Sequence, residues 1–153
     1  MAFKSRQDLS ALIAFHREVN ELAKYKVRYG YFDEHHYSGL NMATLAAIHE
    51  QGWGNLPERN FIYSTQLAFR DDLNKHYRMI FNSIIAKKGF TAPLQKLGKA
   101  GVRAIKMTID TGHFSNNKVS QSWAEVKGFD EAMVHYGDLR AATTFKVSKL
   151  KNK

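Results

Sequence analysis

The sequence predicts an α+β fold in one domain, with helices packed on a mainly antiparallel β-sheet. Three observations point there. Amphipathic helical periodicity opens the chain and fills its middle, β-rich stretches lie near residues 26–33 and 141–150, and no repeat, linker or low-complexity segment divides the 153 residues. That length is enough for one ordinary core.

Residues 6–25 read as an amphipathic helix. Leu9, Leu12, Ile13, His16, Val19 and Leu22–Ala23 recur at spacings of three and four, and Arg6, Arg17, Glu18 and Glu21 mostly take the other face. Ser5 or Asp8 is expected to cap its start. In KVRYGYFD, the residues Val27, Tyr29 and Tyr31 alternate as in a strand, with Gly30 in its middle, where glycine marks a bulge or a close backbone approach. EHHYSGLN is a loop. Asn41 then caps a short helix from Met42 to about Gln51, offering Leu45, Ala46 and Ile48–His49 for burial, and Gly52 stops it.

After the irregular WGNLPERN, a longer helix is predicted from Phe61 to Lys87 along Leu67–Ala68, Leu73, Tyr77, Ile80–Phe81 and Ile84–Ile85, ended by Gly89. Thr91 and Pro93 open the next helix, because proline in the first turn forfeits no hydrogen bond. Leu94, Leu97, Gly101, Ile105 and Thr108 form its buried face, while Lys96, Lys99, Arg103 and Lys106 share a stripe of their own. Past Gly112 a short helix is expected near Ser122–Val126, then a strand in AATTFKVSKL. Residues 148–153 read as a mobile basic tail.

Composition bounds the chemistry. With no cysteine, disulfides and thiolate metal sites are excluded, which fits a reducing cytoplasm. The N-terminus is too often interrupted by charge for a signal peptide, and no apolar run approaches a membrane span. The net charge of +9 lies wholly in residues 76–153, where fourteen Lys/Arg meet five Asp/Glu; residues 1–75 balance at nine of each. That half either faces nucleic acid or an acidic partner, or is a solvated basic surface. The stripe on the Pro93 helix is open in the same way: it lines a channel for DNA, or it is the wet face of the helix. No aromatic is interleaved with it, so it does not suit base stacking.

Catalytic and metal patterns are missing. His35, His36 and His49 with Glu34 and Glu50 lack the H-E-x-x-H spacing, since Trp53 stands where the second histidine should be, and exposed polar residues are the expectation. Asp110-Thr-Gly-His113 reads as a helix end, and no P-loop, nucleophile elbow or dinucleotide fingerprint occurs. No cofactor is expected and the chain does not read as an enzyme.

Two stretches resemble the tail-completion or neck proteins of long-tailed bacteriophages, also grouped as tail terminator, minor tail or virion morphogenesis proteins. VRYGYFDEHHYSGLNMATLAAIHEQGWGNLPERNFIYSTQ is similar to the family's strand ending in V-x-V-G, variable tip, short helix with an A-x-x-x-E-x-G turn, and I-P-x-R-x-F before a long helix. Val27, Gly30, Ala46, Glu50, Gly52, Leu56, Pro57, Arg59 and Phe61 carry it. SQSWAEVKGFDEAMVHYGDLRAATTFKV is similar to the C-terminal pattern through Ser120, Lys127, Gly128, Gly137, Leu139, Thr144, Phe145 and Val147. It departs where Ala132–Met133 replaces Pro-Leu and His135–Tyr136 replaces Asp-Thr.

The resemblance implies a structural virion protein at the head-to-tail junction or tail end, assembled in the host cytoplasm. It would form a closed ring, hexameric or twelve-membered, between portal or connector proteins and tail-tube proteins, with genomic DNA passing through the bore and no membrane partner. Contacts are expected from the loops 34–40 and 52–60, with His35, His36, Tyr37 and Trp53 as candidates, and from the basic C-terminal half. Trp53 either plugs the domain's own core or anchors a neighbouring subunit. Arg59, disfavoured by the dipole of the helix it precedes, is either paired with Glu50 or an unpartnered surface arginine. The second reading is a small basic DNA-binding accessory protein, and the third a metal-dependent nuclease.

Overall fold

The computed structural model describes residues 5–36, 38–128, 130, 132 and 137–150. Within them, strands from opposite ends of the chain, β1 (Tyr25–Gly30) and β2 (Thr144–Lys149), pair antiparallel with Tyr25 opposite Lys149, Val27 opposite Val147 and Tyr29 opposite Phe145. Two strands alone are marginal in water, so this sheet needs a partner layer. Helix α4 (Thr91–Thr111) supplies it, lying against both strands.

The approach is close because two positions on the buried face of α4 lack a side chain. A Cβ added at Gly98 would fall within the ring of Phe145, and one at Gly101 within the ring of Tyr29. Tyr29 and Phe145 thus sit directly on helix backbone. The predicted face of α4 is buried as expected, at Leu94, Leu97, Gly101, Ile105 and Thr108. Gly112 ends the helix in the left-handed region, so Asp110–His113 is a helix terminus.

Four further helices surround this unit, together with an N-terminal one: α1 (Ser5–Leu22), α2 (Met42–Gln51), α3 (Phe61–Ile85), α5 (Gln121–Lys127) and α6 (Asp138–Ala142). α3 packs along α4 and divides the core in two. Phe69, Ile80, Ile84, Phe90, Leu94 and Leu97 form one cluster, joined by Phe15 and Leu22 of α1 and by Val27 and Val147 of the sheet. Met42, Ala46, Phe61, Ile105, Ile109 and Leu139 form the other, bringing α2 and α6 onto the far ends of α3 and α4. Between the clusters the buried hydroxyls of Thr65 and Thr108 meet at 2.9 Å, and each also lies near a carbonyl of its own helix. No polar pair is stranded there.

Several expectations are corrected. Gly30 closes β1 instead of sitting mid-strand; its φ of 133° is one glycine adopts readily, and no atom lies within 4 Å of where a Cβ would stand, so it marks no close approach. α1 stops at Leu22 because the chain turns into β1 at Tyr25. Leu9, Leu12 and Ile13, expected in the core, are 57–62% exposed; only the C-terminal part of α1 reaches α3 and the sheet. On α3, Phe61, Thr65 and Phe69 are buried, whereas Leu67, Tyr77, Phe81 and Ile85 face outward. α6 was not anticipated. The expected tail is partly structured: Ser148 and Lys149 belong to β2, and the Leu150 N–H donates to the Lys24 carbonyl at 2.6 Å. Residues 151–153 lie outside the described residues, as do Met133, His135 and Tyr136.

Gly101→Ala is expected to lower stability by about 1–3 kcal/mol through overpacking against Tyr29, despite alanine's better helix propensity. Urea denaturation checks this, with Gly89→Ala, a change in open space but at positive φ, as the contrast.

Candidate functional site

The two stretches that carry the family resemblance fold against one another. They meet around a cavity of about 370 Å³ whose walls include His49, Pro57 and Arg59 from the first stretch and Ser120, Trp123, Asp138 and Leu139 from the second.

Asn41 caps α2, its side chain accepting from the Thr44 N–H at 2.7 Å, as expected. At the other end of α2 comes the turn through Gly52. A Cβ at Gly52 would stand 2.8 Å from the Glu58 nitrogen and 2.9 Å from the Leu56 carbonyl oxygen, and φ is 77°, so both space and conformation require glycine. Trp53 and Leu56 exchange backbone hydrogen bonds at 2.9 and 3.0 Å across the loop. Trp53 itself is 76% exposed and therefore does not plug the core.

Glu50 and Arg59 are not partners. Glu50 accepts the N–H groups of Ile62 and Tyr63 at 2.7 and 3.0 Å, so a carboxylate from the preceding helix satisfies the first turn of α3 and complements its dipole. Asn60, the residue before α3, is left-handed and makes no capping hydrogen bond; its side-chain oxygen instead accepts from the Ser115 N–H. Arg59 is buried, at 3% exposure. Its Nη1 lies 2.6 Å from His49 Nδ1, and its Nε donates to the Asn116 carbonyl at 3.3 Å. Asn116 in turn donates to the Glu58 carbonyl at 2.6 Å. Arg59 thus ties the end of α2 to the loop after α4.

Burial, and then the adjacent guanidinium, push His49 down to about pKa 4. Its ring is neutral near pH 7 and, since Arg59 donates to Nδ1, the ring proton sits on Nε2. Burial also lowers the Arg59 pKa. Among the described residues Arg59 makes no ion pair with a carboxylate, and the partners it has there, the His49 ring and the Asn116 carbonyl, are neutral.

A second tie crosses the cavity. His36 is mostly buried, with Nε2 3.3 Å from Asp138 Oδ2 on α6 and Nδ1 2.7 Å from Ser38 Oγ. The loop expected to be an exposed contact is thereby fixed at His36; His35 is exposed and Tyr37 lies outside the described residues. Ala46 and Phe61 are core residues, Phe61 edge-on to Tyr31 and Phe114. Gly128 ends α5 and Gly137 begins α6, both left-handed, and Leu139 is buried. The Lys127 side chain lies outside the described residues.

The stripe on α4 stands apart from this junction. Lys96, Lys99 and Arg103 are exposed and Lys106 half-buried. Near it Arg140 of α6 holds Asp110 in a bidentate pair at 2.5 and 2.9 Å. Arg140 is the first cause of the lowered Asp110 pKa, and Lys106 contributes. Among the described residues no group of three or more His, Asp or Glu could hold a metal, and no helix is long and apolar enough to cross a membrane.

Sequence reading marked Glu50, Gly52, Pro57 and Arg59 but missed His49 as the arginine's partner, and missed Asn60, Asn116 and Asp138. The asparagines left one trace in the sequence, their place in the polar stretches WGNLPERN and SNNKVSQS, where asparagine is the non-glycine residue best suited to the positive φ that both adopt. Comparison of the chain with protein-family models, curated proteins and solved structures finds no match in any of the three.

Two outcomes are expected. Glu50→Ala should cost about 1–2 kcal/mol by orphaning two N–H groups of α3. Between pH 6.5 and pH 4 the unfolded chain binds a proton that folded His49 refuses. Stability should therefore fall on acidification through that window, by up to about 3 kcal/mol, and His49→Gln should remove that part of the slope in denaturation at graded pH.

Proposed function

We propose that this chain is a structural virion protein of a bacteriophage particle, acting at the head-to-tail junction or tail end as a neck, tail-terminator or tail-completion component. It forms a closed ring between portal or connector proteins and the tail tube, with the genome passing through the bore. It works by association and does not turn over a substrate.

The observation that carries this reading is apolar surface left without a partner. Leu9, Leu12 and Ile13 on α1, Leu67, Phe81 and Ile85 on α3, and Trp53 in the loop after α2 are all more than 40% exposed. Leu9, Leu12 and Ile13 stand at helical spacing on one face of α1, and an exposed apolar strip of that kind is covered by association. With Leu67, Phe81 and Ile85 of α3 and Trp53 of the loop after α2, the exposed apolar residues come from three separate segments, and a contact between unlike surfaces is the kind that closes into a ring by rotation. Among the residues carrying the resemblance, Glu50, Gly52 and Arg59 hold the junction of α2, α3 and the loop after α4, while Ala46, Phe61 and Leu139 lie in the core. That is the pattern of a fold selected for shape.

A small basic DNA-binding accessory protein is the second reading, favoured by the charge of the C-terminal half. Light scattering separates the two: a ring has six or twelve times the chain mass of 17.5 kDa. Trp53→Ala is expected to weaken assembly about 30-fold, the size of an interface hot spot, without altering the thermal unfolding of the monomer. A chain that stays monomeric at high concentration and binds duplex DNA tightly contradicts the ring.

A further inference from the structure

The outer face of the two-stranded sheet carries charge that the fold does not use. Tyr25, Val27 and Tyr29 pack toward the core, so Lys26 and Arg28 stand on the opposite face, and both are exposed. In the register Arg28 lies directly opposite Lys146. Like charges so placed destabilise a strand pair. Phe32, two residues past β1, sits beneath both, with Lys146 Nζ 4.4 Å and Arg28 Cζ 5.5 Å from the ring centroid. The ring's electron-rich face offsets part of the repulsion but supplies no counter-charge. Among the described residues none of the three cations forms an ion pair with a carboxylate, and α4 on the inner face is the only element lying broadly against both strands.

We propose that this face binds the phosphate backbone of nucleic acid without reading its sequence. Lys26 and Arg28 stand about 6.8 Å apart along one edge of the face, and because phosphates carry no base identity the two long cationic side chains can meet the backbone of any sequence. Phe32 is already occupied by two cations, so the contact is by charge and not by base stacking. A charge serving only to keep an edge strand from pairing could sit at any outward position and would not need a second cation opposite it. The stripe on α4 is the competing candidate, with Asp110 beside it already paired to Arg140, and variants in it serve as the comparison below. The inference holds for a monomer or a ring.

The test is a fluorescence-anisotropy titration of a short mixed-sequence DNA duplex at graded salt. The double variant Arg28→Gln/Lys146→Gln should reduce the slope of log K against log salt by about 1.8, two phosphates at about 0.9 each. Lys26→Gln, which touches neither cation–ring contact, should reduce it by about 0.9 and carries the test if the double variant does not fold. Lys99→Gln/Arg103→Gln on α4 should leave the slope unchanged. The proposal is overturned if the native chain does not bind duplex or if the α4 variant carries the loss. It is also overturned if polyglutamate of equal charge displaces the duplex as well as DNA does, which would assign the face to an acidic protein. A ring that ignores DNA sinks this inference alone; a DNA-binding monomer sinks the ring reading alone.

Discussion

The architecture depends on backbone-close contact between one helix and a sheet of only two strands. Such a sheet has few hydrogen bonds and two open edges, so its stability comes from the layer against it. Gly98 and Gly101 let α4 settle onto the rings of Phe145 and Tyr29. From that contact the rest follows: Tyr29 reaches both core clusters, α3 aligns along α4, and the chain's two ends are joined by β1 and β2.

The inner face of the sheet and the outer face are thereby given opposite characters. Packing against glycine requires flat aromatic and β-branched residues inward, and strand alternation then sends Lys26, Arg28 and Lys146 outward together. The junction around Arg59 has a different logic. A buried guanidinium with a neutral histidine and a carbonyl for partners is costly, and it persists where it joins segments that would otherwise separate. Three connections meet there: the end of α2, the start of α3 and the loop after α4.

How much of this was legible in the sequence varies with the physics of each element. The α4 face was readable because its burial is intramolecular and strictly periodic. The α1 stripe was equally periodic, yet Leu9, Leu12 and Ile13 remain exposed. Periodicity reports that a face is apolar and is silent on whether the chain itself or a neighbour covers it. Glu50 and Arg59 were placed at the right junction but wrongly paired, because opposite charge suggested a bridge while the free N–H groups of α3 offered the carboxylate a better partner. α6 escaped notice because five residues opened by Gly137 give too short a pattern to register. The cation pair across the sheet depended on a strand register that links positions more than a hundred residues apart, which no local pattern reveals.

Taken together, the motif residues build a rigid frame and the unpartnered apolar and basic surfaces lie outside it, which suits a protein that acts by fitting to its neighbours. The most direct test is to locate the chain in assembled phage particles by labelling a fused epitope and imaging by electron microscopy. The account predicts label confined to the neck or the end of the tail. Particles that carry no label, with the protein left free in the lysate, would contradict it.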